Sequence, residues 1–76
     1  MSSDTEAILD AENVRIGRRV RARMGTEGVS QEAIGQLLGI SQPQVHQRLE
    51  GRVAFRIGEL TKVAEKLDTT VTKLTG

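Results

Sequence analysis

From Asn13 to Leu74 the apolar residues recur at helical spacing, and no segment alternates as a strand would. Ile16, Val20 and Met24 fall four apart on one face of a first helix, which begins near Asn13 and is broken by Gly25-Thr26-Glu27-Gly28. Val29 then drops toward the core. Ile34 and Leu38 mark the inward stripe of a short second helix behind Ser30, a good N-cap. A third helix starts at Ser41, where Gln44 three residues on completes a Ser-x-x-Gln capping box and Pro43 occupies the first turn. Gly51 suits a left-handed stop after it, and Arg52-Val53-Ala54-Phe55 reads as a loop. The fourth helix runs from about Arg56 to Leu67 with Ile57, Leu60, Val63, Ala64 and Leu67 inward, although its start lacks a good N-cap. Thr70 caps a last helix, Val71 to Leu74. The pattern predicts an all-α, compact five-helix fold with short loops.

Residues 30–51 organise the rest. Leu38-Gly39-Ile40-Ser41 joins two short helices, and Gly39 can take a positive φ cheaply, so the chain turns sharply in a few residues. Helix, glycine-containing turn and helix make a helix-turn-helix from helices 2 and 3. With Val45 set inward and steps of about 100° per residue, Ser41, Arg48 and Leu49 also fall on the inner side. Pro43 and Gln47 point outward, flanked by Gln44, His46 and Glu50, with Gln42 at the leading tip. A solvated helix face more often carries Lys and Glu. Glutamine presents a donor beside an acceptor, the geometry that reads adenine N6/N7 in the major groove. Gln42, Pro43, Gln44 and Gln47 are therefore the candidate base contacts, Gln42 for a bidentate adenine contact and Pro43 for a thymine methyl; the alternative is a merely polar face. Gln31, at the N-terminus of helix 2, is placed for a DNA phosphate by free N–H groups and the helix dipole. His46 suits backbone better than a base, with a plain surface role as its alternative. Arg48 is expected to lay its stem along the core edge and turn its head to solvent or phosphate.

The stretch resembles the lambda-repressor-like, Cro-type (XRE) helix-turn-helix family of phage and bacterial regulators. The residues that carry the resemblance are Gln31 opening helix 2, Leu38-Gly39-Ile40-Ser41-Gln42 in the turn, Val45 in mid-helix, Glu50-Gly51, and Leu60-Thr61-Lys62-Val63-Ala64 in helix 4, within a match from about Ile16 to Leu74. The resemblance implies a sequence-specific double-stranded DNA-binding transcriptional regulator, repressor-like, with helix 41–49 in the major groove. It also implies that the loop after that helix grips phosphate, here through Arg52 with Arg56 as a second candidate, and it adds Ser41 to the phosphate set. A homodimer on a two-fold related operator is expected, through the region of Phe55 and Val71 to Leu74 or through the N-terminal extension. Many relatives hold a buried ion pair where Met24 and Leu49 stand here, so these two are expected to pack against each other. The runner-up reading is a protein-interaction module of the same fold, of antitoxin or adaptor type.

Composition narrows the classes further. Seventy-six residues suit one small domain, divided here into an extension over 1–12, frayed or helical, and the domain proper over 13–76. With no cysteine and one histidine there is no disulfide framework and no structural zinc site, and no cofactor is expected. Neither a nucleophile–base pair nor a phosphate-cradling glycine loop is present, so the chain does not read as an enzyme. No apolar run approaches the roughly 20 residues of a membrane span, and Met-Ser-Ser-Asp-Thr-Glu is acidic, unlike a signal sequence; a cytoplasmic, nucleoid-associated protein is the expectation. Net charge is only +1, but Arg15, Arg18, Arg19, Arg21 and Arg23 crowd into one block behind Asp4, Glu6, Asp10 and Glu12. For those arginines a solvated face is the default, with Arg18 or Arg21 on a phosphate as the alternative. Phe55 is the single aromatic residue, which disfavours binding of single strands by base stacking.

Overall fold

The computed structural model describes residues 10–76. Residues 1–9, most of the expected extension over 1–12, lie outside the described residues. Five α-helices and no strand are present among them: α1 Ala11–Glu27, α2 Gln31–Leu38, α3 Gln42–Leu49, α4 Ile57–Lys66 and α5 Val71–Thr75. None of these helices is long and apolar enough to cross a membrane.

The first helix begins two residues before Asn13 because Asp10 caps it, its carboxylate accepting from the N–H groups of Glu12 (2.8 Å) and Asn13 (3.2 Å). It also outlasts the expected break at Gly25. A mid-helix glycine costs only about 1 kcal/mol, and burial of Met24 in that turn offsets it. The helix stops instead at Gly28, where Val29 N–H closes onto the Met24 carbonyl at 2.9 Å. Ser30 caps α2, and Gly39 ends it with φ 71°, giving the sharp turn into Ser41.

One apolar core collects Val20 and Met24 from α1, Ile34 from α2, Val45 and Leu49 from α3, Leu60, Val63 and Ala64 from α4, then Leu67 and Leu74. Ile16, Val29, Leu37, Phe55 and Val71 pack around its margin. Met24 and Leu49 are thus both buried in the same cluster, on helices that pack together. At that crossing a Cβ on Gly17 would collide with the Leu49 carbonyl group, its carbon only 2.8 Å away, and one on Gly51 would meet the Val14 backbone nitrogen at 2.7 Å. Bare backbone at these two positions lets α1 lie directly on the end of α3.

Two expectations fail, one about an inward residue and one about a solvated face. Ile57 is 81% exposed. It sits roughly 70° from the centre of the α4 stripe, on a first turn that overhangs the core. Arg15, Arg19 and Arg23 are not simply a solvated face either. Spaced four apart, they line the side of α1 toward the end of the chain and donate to carbonyl oxygens there. Arg23 reaches Leu67 (2.9 Å) and Asp68 (2.8 Å), Arg15 reaches Thr75 (2.9 Å) and Gly76 (2.8 Å), and Arg19 reaches Gly76. Carbonyls left over at the ends of α4 and α5 thereby find cationic donors.

Candidate nucleic-acid interface

The second helix of the motif is only two turns long, below the length at which a helix is stable alone, so its direction is set by its caps and its buried side. Val45 is completely buried, with Leu49 beside it. At the leading end the capping box is fully made. Ser41 Oγ accepts from Gln44 N–H at 3.3 Å, while Gln44 Oε1 accepts from Ser41 N–H at 2.9 Å. Gln42, Pro43, Gln44, His46 and Gln47 are all exposed, as is Ser41.

These exposed residues are not equivalent. The amides of Gln42 and Gln47 make no hydrogen bond among the described residues, whereas the Gln44 oxygen is spent on the cap and only its NH2 group remains free. Ser41, in the same cap, presents its hydroxyl beside the first turn of α3. On α2, Ser30 Oγ accepts only the Ala33 N–H, at 3.1 Å, which leaves the N–H groups of Gln31 and Glu32 directed out of the helix end. Gln31 itself is half-buried.

Beyond α3, the Glu50 carboxylate lies between two of the phosphate candidates. His46 Nε2 is 3.1 Å from one oxygen and Arg52 Nε 3.3 Å from the other. Both contacts are surface pairs, of a kind that contributes about 0–1 kcal/mol, so a phosphate can compete for either partner. Arg56 is exposed at the N-cap of α4. Arg18 and Arg21 are exposed as well and line one hollow with Arg52, Glu50, Val14 and Leu49, on the opposite flank of α1 from Arg15, Arg19 and Arg23.

Arg48 departs from expectation. It is 8% exposed and its head turns inward, not to solvent or phosphate. Nε and one terminal nitrogen donate to the two oxygens of Glu59 at 3.0 and 3.3 Å, and the other terminal nitrogen donates to the Gln44 carbonyl at 3.1 Å. A buried guanidinium without an anion is too costly to persist, so the inward phase of Arg48 was itself a signal to look for an acid on a neighbouring helix. Which acid answers it is not legible, because Glu59 lies eleven residues on, in another helix. It also solves the poor cap of α4: Glu59 Oε1 accepts the Arg56 N–H at 3.0 Å, although the Arg56 side chain has no acceptor to return the bond. Burial alone would raise the Glu59 pKa. The hydrogen bonds from Arg48 and from the Arg56 backbone, with both positive charges, outweigh burial and hold it below 4.5.

The pattern of the helix-turn-helix domain family matches residues 15–75 of the chain. No curated protein matches it. Among solved structures, the restriction-modification controller protein C.AhdI from Aeromonas hydrophila aligns with a TM-score of 0.74 and 28% sequence identity, over 84% of this chain and 97% of that one. With helices α2 and α3 meeting at Gly39 and the match running from Arg15 through α5, the chain belongs to the helix-turn-helix domain family and has its lambda-repressor-like fold.

Proposed function

We propose that this chain is a sequence-specific double-stranded DNA-binding transcriptional regulator, repressor-like, which inserts α3 into the major groove. The observation that carries this reading is the division of α3 into a fully buried Val45 side and an exposed glutamine side with free amides at Gln42 and Gln47. Gln42, Pro43, Gln44 and Gln47 would face base edges, Gln44 through its NH2 alone. Gln31 and Ser41 at the two helix starts, with His46, Arg52 and Arg56, would fix the register on phosphates. Similarity to a restriction-modification controller protein supports a regulatory role.

Two copies are needed, because one two-turn helix spans too few base pairs to be selective. Exposed Ile57, with Val53 and half-buried Phe55 near it in sequence, is suited to a two-fold contact. Selection of bound duplexes from a random pool tests the whole reading. The expected product is a two-fold related sequence with half-sites about 10 base pairs apart. No enrichment, together with no gel shift even at low salt, overturns it in favour of a protein-interaction module.

A further inference from the structure

We infer that Arg48 and Glu59 form a positioning pair that sets the angle at which α3 presents its glutamines, and so determine sequence discrimination without touching DNA. The inference rests on the DNA-binding reading above. Its basis is a gap between helix backbones: α3 packs on α1 and α2, α4 packs on α2 and α5, and close backbone packing between α3 and α4 is slight, although side chains of both join the same core. Across that gap the described residues have one polar connection, the Arg48–Glu59 pair.

The connection is rigid. Apolar contacts between Val45, Leu49 and the α4 side chains tolerate small rotations of α3, because dispersion has no preferred direction. A planar guanidinium held by two carboxylate oxygens does not. Arg48 also holds the Gln44 carbonyl, in the turn that carries Gln42 and Pro43, while Glu59 holds the Arg56 N–H at the start of α4. One pair thus joins the first turn of the reading helix to the first turn of α4. Rotation of α3 about its axis would break at least one of these bonds in a partly buried site.

The test exchanges the pair for apolar residues. Removing one member leaves a buried charge, but replacing both in a buried pair is often neutral or stabilising, so Arg48→Met/Glu59→Met keeps the fold. The duplex selected by the wild-type chain and a scrambled duplex of equal length are titrated with both proteins, and thermal melting is measured beside them. The expected result is slightly lower melting, from the lost Glu59 cap on α4, and unchanged scrambled-duplex affinity, with the selected-to-scrambled affinity ratio falling about tenfold, as spoiling one base pair does. An unchanged ratio overturns the inference. Should the double variant fail to fold, Arg48→Leu/Glu59→Gln, which also removes both charges and keeps an acceptor for the Arg56 N–H, takes its place with the same two outcomes. A wild-type chain that shows no preference for any duplex defeats the functional reading instead. Amide hydrogen exchange then decides the positioning role without DNA: faster exchange in α3, with α1 and α4 unaltered, supports it, and unchanged exchange in α3 refutes it.

Discussion

Gln42 and Arg52 stand at opposite ends of α3, one with a free amide and the other beside a surface carboxylate. Substituting each in turn separates reading from anchoring. Gln42→Ala should weaken a selected duplex by about 1–3 kcal/mol and leave random duplex nearly unchanged. Arg52→Ala should weaken both by similar factors and flatten the dependence on salt. Gel-shift titrations over a range of salt check the two, and equal losses on both duplexes for Gln42→Ala would remove direct readout at that residue. Glu59 gives a second test at this scale. Its folded pKa lies below the ordinary 4.5, so its contribution to stability is complete above that value and is lost as pH falls through the lower folded value. Acid unfolding followed by circular dichroism should therefore show a stability loss below pH 4.5 in the wild-type chain that is smaller in Glu59→Gln. The inward phase of Val45 and the Ser41–Gln44 box were legible in the sequence, because each depends on residues within one turn. Arg48–Glu59 was not, since its members are eleven residues apart on different helices and meet only in the folded chain.

Among elements, α1 is the support on which the motif is mounted. Its closeness to α3 depends on Gly17, where an added methyl group has no room against the Leu49 carbonyl. Gly17→Ala is expected to destabilise the fold by about 1–3 kcal/mol, the usual cost of overpacking. At Gly25, on the same helix, a methyl group would meet nothing within 4 Å beyond its own helix backbone and chain neighbours, so Gly25→Ala should stabilise by roughly 0.5–1 kcal/mol. Urea unfolding of the two variants gives opposite signs if α1 runs unbroken through Gly25. Periodicity revealed the helices and most of their inward faces. It misplaced the end of α1 because the penalty of one glycine is small beside the burial of Met24. It also misjudged Ile57, since periodicity gives direction around a helix and says nothing of where the core ends along it. The arginine row Arg15, Arg19, Arg23 had the spacing of a helix face, but its partners are backbone carbonyls, which sequence pattern does not display.

For the molecule as a whole, an isoleucine that is 81% exposed is the feature least suited to an isolated copy. Ile57→Lys should shift the proposed homodimer to monomer in sedimentation equilibrium and leave the melting of the single domain almost unaltered. Selected two-fold duplexes should then bind with lower apparent affinity, while scrambled duplex is retained. A dimer that persists in Ile57→Lys places the contact elsewhere on the surface. The five helices and their order were legible between Asn13 and Leu74, because short helices, caps and a glycine turn are local devices. How two copies meet depends on which apolar residues the core leaves uncovered.

The capping box at Ser41 also limits what the tip of α3 can say to a base. Its geometry fixes which end of the Gln44 amide is the oxygen, since only an oxygen can accept the Ser41 N–H. What faces outward is a donor without an acceptor. Guanine, adenine and thymine each offer a major-groove lone pair to such a donor; cytosine offers only its own amino group. If Gln44 meets a base at all, cytosine is the letter that the selected operators should lack at that position.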